Sequence, residues 1–163
     1  MKKRWISLYV ENQVGVLSKI SGLFSAKSYN LESLTVGTTE EPTISRMTIE
    51  TVSDDETYEQ IKKQLNRFVE VIKVMDFTNI PICMKELLFV KVEKCEKEEK
   101  NELFHIASTF EAKVIDYGKN SLLLEFVQPA AQNDAVITLL KNTFSHIEVV
   151  RGGNVGIESI SKV

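Results

Sequence analysis

The sequence predicts an α+β fold built from two ferredoxin-like βαββαβ units in series. Three observations carry this. Strand-like alternation gives way to helical spacing and back again, in the order strand, helix, strand, strand, helix, strand. The pattern stops around "TNIPICMKE", where Pro81 interrupts it, and then the whole order recurs. Each half has about 80 residues, enough for one small domain. This reading places the first unit at residues 1–79, a linker at 80–84 and the second unit at 85–163.

In the first half, "RWISLYVE" alternates, with Ile6, Leu8 and Val10 on one face and Trp5, Ser7 and Tyr9 on the other. From Val16 the spacing changes to a stripe of Val16, Leu17, Ile20, Leu23 and Phe24, which is one face of a helix. "LESLTVGTT" and "ISRMTIETV" are two strands joined through Glu40, Glu41 and Pro42. A second helix follows in "DDETYEQIKKQLNRFV", with Asp54 or Asp55 suited to cap it and Tyr58, Ile61, Leu65 and Phe68 at helical spacing. "VIKVMDF" closes the unit as a strand.

The second half repeats the order. "KELLFVKVE" is a strand, and "KNELFHIASTF" is a helix with Leu103, Ile106, Ala107 and Phe110 on one side. "AKVIDYG" and "SLLLEFV" form a hairpin across Gly118 to Asn120. "NDAVITLLKNTF" is a helix, "HIEVVRGG" is a last strand, and "RGGNVG" is a turn that ends the domain rather than a phosphate loop, because no helix follows it.

A split βαβ unit places both helices on one face of a four-stranded antiparallel sheet. The other face, here bearing Trp5 and Tyr9, stays open unless something covers it. Such a small unit also has a thin core and unprotected sheet edges. An oligomer, a dimer through the first unit, is the expected remedy.

Composition narrows the function. Apolar residues make up 43% of the chain and charged residues 26%, as in ordinary globular proteins. The formal charge of −3 gives no sign of a nucleic-acid partner. No apolar run approaches the roughly 20 residues that span a bilayer. The opening "MKKRWISLYVENQ" is too short in its apolar part for a secretory signal, so the expected location is the cytoplasm. Cys83 and Cys95 match no zinc or redox spacing and are expected as buried free thiols. His105 and His146 are expected as surface or packing residues. A nucleophile–base pair, a metal cluster and a phosphate loop are all missing from the pattern, so an enzyme is the weakest class.

Two asparagines bracket the first helix, in "ENQVGVLSKISGLFSAKSYNLESLTV". Turn chemistry offers one account: Asn12 caps or turns the chain, Gly15 permits the turn, and Asn30 ends the helix in a left-handed conformation. A binding site offers another. N–H groups at a helix start suit a carboxylate, and an Asn amide supplies both a donor and an acceptor. Val16, Leu17 and Leu31 offer an apolar wall for a branched side chain. The residues alone leave both accounts open.

"ENQVGVLSKISGLFSAKSYNLESLTVG", followed by "EEPTISRMTIETVSDDETYEQIKKQLNRFVEVIKV", resembles the N-terminal ACT domain of the small subunits of acetohydroxyacid synthase (acetolactate synthase). The second half is similar in pattern through "VIDYG" and "EVVRGGNVGI". The resemblance implies a regulatory subunit with no catalysis of its own and no cofactor. It implies a large catalytic partner carrying thiamine diphosphate, Mg and FAD. The subunit would raise that partner's activity and confer feedback inhibition by valine or another branched-chain amino acid. It also implies effector sites where two ACT domains meet, with Asn12, Gly15, Val16, Leu17, Asn30 and Leu31 at the site. The rival reading is a stand-alone ACT-domain sensor acting on another enzyme or a transcription factor.

Overall fold

The computed structural model describes residues 1–160. Strands β1 (Lys2–Glu11), β2 (Ser33–Thr38), β3 (Ile44–Ser53) and β4 (Val71–Asp76) form one antiparallel sheet in the order β2-β3-β1-β4. Helix α1 (Val16–Ala26) lies between β1 and β2 in the chain, and α2 (Asp55–Leu65) between β3 and β4. The second sheet holds β5 (Ile82–Glu93), β6 (Lys113–Gly118), β7 (Ser121–Gln128) and β8 (Ile147–Glu158) in the order β6-β7-β5-β8. Its helices are α3 (Lys97–Thr109) and α4 (Ala130–Thr143). This is the βαββαβ order twice over, an α+β fold of two ferredoxin-like units.

Burial follows the periodicity. In the first unit Ile6, Leu8 and Val10 of β1 meet Met47 and Ile49 of β3, with Val16, Ile20 and Phe24 of α1 and Tyr58, Ile61 and Leu65 of α2 packed over them. In the second, Leu88, Val90 and Val92 meet Leu122, Leu124 and Phe126 beneath Leu103, Ile106, Val136 and Leu140. The starts of the helices follow their caps. Of the two aspartates suited to cap α2, Asp54 does so: its side chain accepts from the Thr57 N–H at 2.7 Å. Helix α3 begins a turn earlier than expected because Glu96 and Glu99 form a reciprocal capping box. Helix α4 likewise starts early, directly after Pro129.

The two compact units are Met1–Cys83 together with the chain from Asn154 onward, and Met84–Gly153. The expected second unit, 85–163, therefore runs further than the observed one, and its last residues, 161–163, lie outside the described residues. The linker expected at 80–84 is partly strand, since β5 begins at Ile82. The turn expected at "RGGNVG" is strand as well: β8 continues through Gly152 and Gly153 to Glu158.

The physical reason lies in the first unit. The Asn154 side chain donates to Glu50 Oε2 at 2.6 Å, and its carbonyl accepts from Thr35 Oγ1 at 2.6 Å. Arg46 reaches Glu158 at 3.0 Å while its guanidinium lies over the Tyr9 ring. Ser7, Thr48 and Glu50, on the sheet face away from the helices, are at most 5% exposed. The face expected to stay open is thus covered in part by the end of the chain itself, and Trp5 and Tyr9 are half-buried.

Cys95 is a buried free thiol, whereas Cys83 is exposed, contrary to expectation. His105 and His146 are exposed. No helix among the described residues is long and apolar enough to cross a membrane.

Candidate functional site

The turn between β1 and α1 is built around Gly15. Its φ of 87° lies in the left-handed region, where a side chain costs energy, and it serves as the N-cap of α1 without any side-chain cap. Asn12 does not cap the helix. Its backbone N–H donates to Thr43 O at 2.7 Å and its side-chain amide to Pro42 O at 2.9 Å. The β2–β3 loop therefore anchors the turn.

The first turn of α1 carries no acidic residue, while α2 is capped by Asp54 and followed by Asp55 and Glu56. The α1 start thus has no carboxylate in its own first turn competing for its N–H groups. Val16 is buried in the core, and Leu17 is 43% exposed beside the turn. Nearby, Lys19 pairs with Glu70. The hydrogen bond from Lys19 holds the Glu70 carboxyl below its ordinary value.

At the other end of α1 the chain turns through Ser28, whose φ is 55°. Ser28, not Asn30, takes the left-handed conformation that the turn-chemistry account gives to the asparagine. Tyr29 N–H closes the turn onto Phe24 O at 2.9 Å, and the Tyr29 ring meets Phe24 edge-on. Asn30 is exposed, its carbonyl accepts from Thr51 Oγ1, and its amide donates to Glu32. Leu31 is half-buried against the core.

The strand register then separates the six residues. The Asn12 turn is tied to Thr43, beside the Glu11–Ile44 end of the sheet. Asn30 is tied to Thr51, which pairs with Arg4 at the opposite end. Eight strand residues, at about 3.3 Å each, put roughly 26 Å between these anchors. Within one chain, Asn12, Gly15, Val16 and Leu17 form one group, and Asn30 and Leu31 another. The anchoring roles of Pro42, Thr43 and Thr51 are absent from the sequence reading, because nothing local marks a partner 21 to 31 positions away.

No group of three or more potential metal-ligating side chains gathers among the described residues. A four-stranded sheet in the order β2-β3-β1-β4, two helices on one face and a glycine-opened turn before the first helix define the first unit as an ACT-type domain.

Comparison with known proteins agrees. Residues 6–73 match the family described as "AHAS small subunit-like ACT domain", and residues 85–160 match "Small subunit of acetolactate synthase". The chain belongs to the acetolactate synthase small-subunit family. It is 34% identical over 161 residues to the acetolactate synthase isozyme 3 small subunit of Escherichia coli K12, covering 99% of this chain and 98% of that one. It is also 34% identical over 157 residues to the acetolactate synthase small subunit of Buchnera aphidicola, covering 95% and 98%. Among solved structures, the small subunit from Thermotoga maritima superposes with a TM-score of 0.89 at 31% identity, covering 99% of this chain and 100% of that one.

Proposed function

We propose that this chain is the non-catalytic regulatory subunit of an acetolactate synthase. It binds the large, thiamine-diphosphate-dependent catalytic subunit, raises its activity, and makes it sensitive to valine or another branched-chain amino acid. Thiamine diphosphate, Mg and FAD belong to that partner, and the pair works in the cytoplasm. The match to small subunits over nearly the whole chain supports this over a stand-alone sensor.

The effector site lies between two copies of the first unit. The observation that carries this is the separation of the two groups of site residues by the length of the sheet. One chain cannot bring Asn12 and Asn30 to one amino acid, but an isologous dimer brings the Asn12 turn of one copy to Asn30 of the other, twice over. The α1 N–H groups then take the effector's carboxylate, the asparagine amides take its polar groups, and Leu17 and Leu31 face its side chain. Because the end of the chain covers part of the sheet's second face, the dimer contact falls to the edge strand β2, where Val36 is 46% exposed, and to α1 beside it.

Mixing two defective variants tests this. Asn12→Ala and Asn30→Ala each remove a hydrogen bond to a charged ligand group, a loss of about 1.5–3 kcal/mol. Each should therefore bind valine roughly tenfold to a hundredfold more weakly. A mixed dimer holds one site with both changes and one with neither. After unfolding and refolding together, the two variants should regain calorimetric valine sites of parental affinity. If mixing restores nothing while each variant alone is impaired, the residues act within one chain or not at all.

A further inference from the structure

The second unit contains a concave basic site that the effector reading does not use. A surface cavity of about 810 Å³ opens where the start of α3 meets the β6–β7 hairpin, and Lys94, Lys97, Lys100 and Lys119 all line it. Its volume falls within the range of small-molecule pockets.

Lys100 is the unusual member. It is 7% exposed, and its ammonium donates to the carbonyls of Gly118 and Lys119. The Tyr117 ring lies 4.1 Å from it. Neutral carbonyls and a ring face help solvate the charge but do not cancel it, and a buried charge is costly without an opposite one. No carboxylate pairs with Lys100 among the described ion pairs. Two carbonyls accept from the ammonium and the ring takes its remaining side, and none of them brings an opposite charge.

Neither acid of the wall, Glu93 or Glu96, forms an ion pair with Lys100 among the described ion pairs; Glu96 accepts from the backbone of α3 in the capping box. Four lysines against two glutamates leave the wall positive by two charges, in a chain whose formal net charge is −3. Basic residues are therefore concentrated at this site against the overall balance of the chain. A phosphate monoester carries about −1.5 to −2 at neutral pH, which complements that wall. The rim is aromatic: Tyr117 is 62% exposed and stacks on Phe104, with ring centroids 6.2 Å apart.

We propose that this cavity binds a phosphate-bearing small molecule, the phosphate held by Lys94, Lys97, Lys100 and Lys119 and the organic part resting against Tyr117. The site is independent of the valine reading, because every residue in it belongs to the second unit.

The test uses the full chain, with inorganic phosphate and then pyrophosphate as probes, followed by amide chemical shifts in NMR titrations. Saturable shifts are expected at Lys94 to Lys100 and Lys119 to Ser121, weakening as salt rises. Lys94 and Lys119 are exposed, so Lys94→Ala with Lys119→Ala should leave the fold intact by circular dichroism. Phosphate affinity should fall by roughly tenfold or more, with valine binding unchanged. Lys100→Met should abolish phosphate binding; because it also frees the hairpin carbonyls, the exposed pair decides the outcome. The proposal is overturned if neither anion gives saturable shifts at millimolar concentration. Equal binding by the folded double variant overturns it as well, as does contact of these lysines with the catalytic subunit in place of phosphate binding.

Discussion

Replacing Asn154 with alanine probes the contact that carries the end of the chain onto the first sheet. The side-chain amide donates to Glu50 Oε2 at 2.6 Å, and the two residues are 4% and 5% exposed. The acceptor is charged, so the bond is worth about 1.5–3 kcal/mol. Lys3 still holds the other carboxylate oxygen at 2.7 Å, so Glu50 is not left alone, and a loss near 2 kcal/mol is expected. For a unit of this size that lowers Tm by roughly 8–16 °C.

The dependence on pH has a definite sign. Burial pushes the Glu50 carboxyl up, but the hydrogen bond and charge of Lys3, with the Asn154 amide, outweigh it, so its net position lies below 4.5. A lowered carboxylate pKa adds stability above the unfolded value and loses it as pH falls through the folded one. The gap between parent and Asn154→Ala should thus be full at neutral pH and shrink below about pH 4.5. Scanning calorimetry and urea titration at a series of pH values measure it. A gap under about 0.5 kcal/mol at pH 7, or one that does not change on acidification, would refute the reasoning.

Gly15→Ala should cost about 1–2 kcal/mol through the left-handed backbone alone, because nothing lies within 4 Å of an added Cβ. Gly15→Asn, which tolerates that conformation better, should recover part of the loss in the same melting experiment. In the second unit, Glu86 is 2% exposed and held by the Arg151 guanidinium, which also reaches Asp134 at 2.7 Å. Arg151→Met should destabilise by about 3–5 kcal/mol in urea titration, because it leaves a buried carboxylate unpaired; adding Glu86→Gln should return much of it. Asp76 is pushed up by burial but drawn well below the usual carboxylate range by Lys62, Thr78 and Tyr58. Its contribution should be present above about pH 3.8 and fall away below it. Asp76→Asn should flatten the acid limb of the urea midpoint plotted against pH.

How much of this was legible in the sequence depends on whether the signal was local. The order of elements follows from apolar spacing, so α1 could be read from Val16, Ile20 and Phe24, and β1 from Ile6, Leu8 and Val10. The Asp54 cap and the Gly15 turn are local chemistry and were equally readable. The early start of α3 was missed because glutamate is a less usual capping residue than serine or aspartate. The turn-chemistry account places the left-handed residue after α1 at Asn30 by propensity, but the closing bond from Tyr29 to Phe24 puts it at Ser28.

Periodicity and turn residues, then, determined the fold class and drew attention to the six candidate effector residues, since each side chain's face depends only on its neighbours along the chain. Tertiary structure alone decided what those residues can reach. The anchoring of Asn12 on Pro42 and Thr43, and of Asn30 on Thr51, is set by strand register, which places the two asparagines at opposite ends of one sheet. The path of β8 through two glycines to a buried bond between Asn154 and Glu50 was equally hidden. A partner 104 positions away leaves no mark on local spacing, and only folding turns that separation into 2.6 Å.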